Sequence, residues 1–167
     1  VASDGSVWIA YFDATYGDLK LAHGNFGSWT ISIAYGEGEV GAWPNLSEQD
    51  GTIYVAFQDL GNYDLLFGAV QGNGTVVPEI VDDGEFVGAD SSTAWVAGEP
   101  VIMYQDAVNN DAIIARRSAG QWSHAQHMSN GAVGFHNALA VGSDGRLNWA
   151  GFNHSTTDLV FQRFSLP

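Results

Sequence analysis

Asp13 and Asp18, Asp59 and Asp64, Asp106 and Asp111, and Asn153 and Asp158 form four pairs whose members stand five residues apart, separated mainly by Gly, Asn, Ser, Thr and Tyr. Carboxylates and loop carbonyls are hard-oxygen ligands, so such a pair can hold calcium. The same residues can instead cap their own turn. An Asp or Asn at the start of a tight loop accepts a hydrogen bond from the backbone two residues on, and a second Asp can do the same for the returning strand. None of the four loops carries the Asp-x-Asp-x-Asp-Gly ladder of a calcium loop. A residue that recurs in every copy also fits a scaffold better than a site. The expectation is turn capping with no metal and no cofactor, and calcium is the alternative.

Other chemistries find less support. Cysteine is absent, which removes thiolate catalysis and Cys-ligated zinc. His124 and His127 are three apart, so on a strand they point to opposite faces, and His23, His136 and His154 share no ligand spacing. No Gly-x-Ser-x-Gly nucleophile turn occurs. A two-carboxylate glycosidase needs only a suitable pair, which 19 acidic residues supply by abundance alone. Sialidase chemistry would further need an arginine cluster, whereas Arg116, Arg117, Arg146 and Arg163 are dispersed or adjacent along a strand. The chain is therefore read as leaning away from an enzyme. Its net charge of −14 repels phosphate backbones, so nucleic acid is not expected as a partner. No apolar run approaches the roughly 20 residues of a membrane helix, and membrane insertion is not expected either.

The elements that must position these groups follow from periodicity. The second aspartates, at 18, 64, 111 and 158, recur every 46 or 47 residues. Upstream stand Asp4-Gly5, Asp50-Gly51 and Asp144-Gly145, with Gly98-Glu99 in the third copy. Asp-Gly between apolar runs is a hairpin signal, because a type I′ turn needs positive φ at both central residues. The runs that follow, such as Val7–Phe12, Ile53–Phe57 and Val101–Tyr104, are apolar at nearly every position, so both strand faces must be covered. Further strands are expected at Leu19–Ala22, Leu65–Ala69, Ile113–Ala115 and Leu159–Phe161, and then near Trp29–Ile33, Thr75–Val77 and Trp122. Val40-Gly41, Val87-Gly88 and Val133-Gly134 read as crossing loops into the next unit. Four antiparallel strands in a unit of this length make a β-propeller blade. The expected architecture is all-β, a single domain (1-167) with repeats at about 1-40, 41-87, 88-133 and 134-167. It holds about four blades, with the terminal ones incomplete.

The Asp-rich hairpin ahead of Asp18-Leu19, Asp64-Leu65 and Asp158-Leu159 resembles the propeller repeats of bacterial secreted proteins, a group loosely similar to sialidase-like and lectin-like propellers. The Ser-x-Asp-x-Gly-x-Thr-Trp box of sialidase blades is not present. Trp43, Asp90 and His136 occupy one equivalent position in three successive linking loops, where the flanks repeat and the residue varies. Tyr16, Tyr63, Asp59 and Asn137 are expected on the same face. An aromatic ring can stack on a pyranose while acids, amides and imidazole bind its hydroxyls. Trp8, Trp29, Trp95, Trp122 and Trp149 are expected between blades. The sequence thus points to a non-catalytic, secreted or cell-surface recognition module for glycan or an extracellular protein. The alternatives are a self-assembling propeller subunit and a sialidase-like glycosidase. Closure of the ring is expected from a homo-oligomer or a larger propeller chain.

Overall fold

The computed structural model describes residues 1–25 and 27–166, so the terminal boundary at Pro167 lies outside it. Among the described residues are fourteen strands and no helix, arranged as four antiparallel sheets. The first sheet is β1 (Val7–Asp13), β2 (Asp18–Asn25) and β3 (Ser28–Tyr35). The second is β4 (Val40–Gln49), β5 (Thr52–Asp59), β6 (Leu65–Ala69) and β7 (Glu79–Asp82). The third is β8 (Val87–Val96), β9 (Glu99–Asp106), β10 (Asp111–Ser118) and β11 (Gln121–Met128). The fourth is β12 (Phe135–Val141), β13 (Leu147–Asn153) and β14 (Asp158–Phe164). Each is a meander in which every strand pairs with its successor.

Turn chemistry explains the meanders, with three departures from expectation. Asp50 and Gly51 sit at φ 51° and 77°, the I′ geometry that joins β4 to β5. The β8–β9 turn has the same geometry at Ala97 and Gly98 (φ 53° and 80°), one residue ahead of the expected Gly98-Glu99. A turn of this kind at Ala119 and Gly120 joins β10 to β11 without an Asp to announce it. At Asp4-Gly5 and Asp144-Gly145 only the glycine has positive φ. There the turns close from Gly5 N–H to the Ala2 carbonyl and from Gly145 N–H to the Gly142 carbonyl, each at 2.9 Å.

The core is divided among the spaces between successive sheets. Alternate residues of one strand serve different spaces: Val55 and Phe57 of β5 face the first sheet, whereas Ala56 packs with Ile102 and Tyr104 of the third. Likewise Val101 and Met103 of β9 pack with Leu147 and Trp149 of the fourth sheet. This is why the runs of β5 and β9 are apolar throughout: each is covered on both faces, whereas the expected covering of Val7–Phe12 fails on one face, where Ile9 of β1 is 47% exposed. Trp149 is fully buried, and Trp8, Trp95 and Trp122 pack against the clusters as expected. Trp29 is the exception, exposed on the outer strand β3.

The leading strands β4, β8 and β12 join the sheets. Val40, Val87 and Val133 donate backbone N–H to Gly17, Tyr63 and Asn110, in the turns of the preceding sheets, at 2.9 to 3.0 Å. In return, Leu60, Ala107 and His154 donate to the carbonyls of Glu39, Phe86 and Ala132 at 2.7 to 2.9 Å. The glycine after each valine lies at φ 100°, 95° and 87°. A Cβ on Gly41 would stand 2.6 Å from Leu19 Cα, and one on Gly88 2.9 Å from Leu65 Cβ. Val40-Gly41 and Val87-Gly88 are thus not loops but the first residues of bulged strands, with register breaks at 40/42, 42/45, 87/89 and 89/92.

Candidate functional site

The four acidic pairs are turn scaffolds in their first members. Thr15 N–H donates to Asp13 Oδ1 at 3.0 Å, Gly61 to Asp59 at 2.7 Å, Val108 to Asp106 at 2.9 Å and Ser155 to Asn153 at 2.9 Å. The second oxygen of Asp59 accepts from the Asn62 side chain at 2.9 Å, and that of Asp106 from Asn109 at 2.8 Å. The Asp59 and Asp106 turns therefore satisfy their own acids, whereas the second oxygen of Asp13 pairs with Lys20 of β2 and the Asn153 amide donates to the Asn130 carbonyl at 2.9 Å. The second aspartates do not cap the returning strand. Asp111 accepts from Gln126, while among the described residues no hydrogen bond reaches the Asp64 carboxylate.

Asp64 is held above the ordinary carboxylate pKa of 3.8, first by burial and then by the charges of Asp59, Asp83 and Asp82. The native state consequently binds its proton more tightly than the unfolded chain does. Stability falls as pH rises from 3.8 through the raised value. Asp64→Asn is expected to raise the melting temperature at pH 7 and leave it unchanged near pH 3, as read by calorimetry at the two pH values. A loss at pH 7 would show a bond to Asp64 that this geometry lacks.

Trp43, Asp90 and His136 are brought together, though in bulged strands rather than linking loops. They occupy the same bulge of β4, β8 and β12 at φ 50°, 51° and 53°. Ser91 Oγ donates to the Trp43 carbonyl at 3.3 Å, Asn137 Nδ2 to the Asp90 carbonyl at 3.0 Å, and His136 Nδ1 lies 3.7 Å from Asp90 Oδ1. The row presents an exposed indole and imidazole with a carboxylate between them. Asn137 acts as a latch: its amide also donates to the Gly134 carbonyl at 2.7 Å and accepts from Trp149 Nε1 at 2.7 Å. Asp59 is buried and spent in its turn. Tyr16 is exposed at the β1–β2 turn, and Tyr63 packs on Phe86 with centroids 3.9 Å apart.

A second constellation, which sequence spacing did not reveal, lies between the second and third sheets. Tyr104 Oη donates to Asp82 Oδ2 at 2.5 Å, and His124 Nδ1 stands 2.6 Å from the same oxygen. Gly84 N–H donates to Asp82 Oδ1 at 2.9 Å. Asp82 and Tyr104 are buried, whereas the His124 side chain is half exposed. Burial, reinforced by the hydrogen bond to Asp82, pushes the Tyr104 phenol far above its ordinary pKa, so it remains a donor. The carboxylate accepts from Nδ1 and so orients the imidazole, which leaves Nε2 as the ring's other polar atom. This imidazole borders an open cavity of about 400 Å³ that Glu85, Asp106, Asn109 and Gln126 line with polar groups and Val108 and Ile113 with apolar ones.

Register gives the missed signal. Leu19, Leu65 and Ala112 pair with Tyr35, Asp82 and Met128, so Asp82 stands where the neighbouring sheets place large, mainly apolar side chains. At the first junction Tyr35 packs on Phe57 at 5.9 Å, and the Asp82–Tyr104 bond replaces that ring contact at the next. His127 points the other way, onto Trp149 and Phe164 at 5.1 and 4.4 Å, as the spacing predicts. Burial holds its pKa below the ordinary value. Arg117 pairs with Glu79, and Arg146 and Arg163 both pair with Asp144. Among the described residues no group of three or more His, Asp or Glu is arranged to hold a metal ion. No protein-family model matches the chain, and no curated protein matches it.

Proposed function

We propose that the chain is a non-catalytic extracellular recognition domain of β-propeller type, its sheets being consecutive blades, and that it binds a neutral, hydroxyl-rich glycan in the cavity beside His124. The architectural reading is supported by the meander order, by interleaved cores in each inter-sheet space, and by the neighbouring positions of β4, β8 and β12. One observation carries the functional reading: an imidazole oriented by a buried carboxylate faces a cavity lined by carboxylates and amides beside a small apolar patch. Carboxylates accept hydrogen bonds from hydroxyl donors, and the Val108 and Ile113 side chains suit the C–H face of a pyranose. Asp82, Glu85 and Asp106, on a chain of net charge −14, would repel an anionic ligand.

The test is a glycan array followed by titration calorimetry on the best neutral hit. His124→Ala is expected to weaken binding about tenfold, the effect of losing one well-placed hydrogen bond. Trp43→Ala, outside the cavity, is expected to leave the affinity unchanged. An array with no neutral sugar bound would sink the proposal.

A further inference from the structure

The three internal junctions show which positions a neighbouring sheet covers, and the two outermost sheets leave the same positions open. One and three residues after the second acid of each turn stand Leu19 and Leu21, Leu65 and Phe67, and Ala112 and Ile114. All six pack in the clusters between sheets. The corresponding residues of the last sheet, Leu159 and Phe161, are 75% and 62% exposed. The opposite face follows the same rule. Four residues before the first acid stand Val55, Ile102 and Trp149, each 0% exposed against the preceding sheet. The first sheet has Ile9 there, 47% exposed, in a cross-strand row with Ala22 and Ile31. Ile31 and its neighbour on the same face, Ile33, are 63% and 53% exposed.

The outward face of the last sheet therefore carries the side chains that elsewhere meet a following sheet. The outward face of the first carries those that elsewhere meet a preceding one. These are the two halves of a single junction, of the apolar kind that marks an interaction surface when left open.

We infer that the last sheet of one copy packs on the first sheet of a second copy, head to tail, reproducing the internal junction between chains. The inference rests on the propeller reading of the sheets, and its interface is heterologous, the type that closes into a ring when the rotation per copy allows it. With −14 on each copy, added salt strengthens the association by screening.

Sedimentation velocity on the 167-residue chain tests it. The mass is expected to be a multiple of 17.8 kDa greater than one. Phe161→Lys and Ile31→Lys should each reduce it to 17.8 kDa, because each destroys one half of the junction. Both positions are exposed, so unchanged circular dichroism confirms that the variants fold. An equimolar mixture of the two variants should form a 1:1 pair, since each keeps the half that the other lost. Both variants should retain glycan affinity, which separates failure of association from failure of recognition. A wild-type chain that sediments at 17.8 kDa, variants that keep the wild-type mass, or a mixture that stays monomeric would each overturn the inference.

Discussion

Gly41→Ala should lower the free energy of unfolding by about 3 kcal/mol, the sum of left-handed strain on a residue with a Cβ and overpacking against backbone that cannot retreat. Gly41 lies at φ 100°, and its Cβ would meet Leu19 Cα and Cβ at 2.6 Å. Leu19 belongs to a paired strand and is fully buried, so no flexible side chain can move aside. Gly5 supplies the control: its φ is 84°, yet nothing lies within 4 Å of the added Cβ. Gly5→Ala is therefore expected to lose only the strain, about 1 kcal/mol. Chemical denaturation of the two variants separates the contributions. Equal losses would mean that the sheets do not approach each other at Gly41.

The second large effect is expected at Asp82. Asp82→Ala strands the Tyr104 hydroxyl and the Gly84 N–H, both of which bond to this carboxylate and to no other described group strongly. Leaving the buried Tyr104 hydroxyl unsatisfied costs about 1 to 3 kcal/mol, and the partly buried Gly84 N–H adds less, so a loss of about 3 kcal/mol is expected. Tyr104→Phe removes one donor at the outset. The double variant should therefore lose about 1 kcal/mol less than the two single losses added together. Strict additivity would show that Tyr104 and Asp82 do not interact in solution. Asp82→Ala should also weaken sugar binding, by no more than the roughly tenfold loss expected for His124→Ala, because the imidazole loses the group that orients it.

The period of 46 or 47 residues made the sheets legible, because the turn-capping acids and the Val-Gly entries recur at the same register. Each recurrence has a local cause. Asp13, Asp59, Asp106 and Asn153 satisfy their own turns, and Gly41 and Gly88 stand where no Cβ fits. The boundary of β4 was misplaced for the same reason: Val40-Gly41-Ala42-Trp43 reads as a loop by composition but pairs as a bulged strand. The row of Trp43, Asp90 and His136 was also legible, since variation at one register position needs no three-dimensional information to detect. The Tyr104–Asp82–His124 cluster was not. Its members lie on β7, β9 and β11, and the contact crosses from one sheet to the next, where spacing within a strand carries no information. Asp82 looked like one acid among 19 until the ladder placed it opposite Leu65, in line with Tyr35 and Met128.

Amide chemical-shift mapping during titration with the best neutral glycan tests the central claim most directly. Saturable shifts are predicted at Gly84, Glu85, Asn109, His124 and Gln126, the residues around the cavity between the second and third sheets. Shifts confined to Trp43, Asp90 and His136, or none at saturating sugar, would contradict the account.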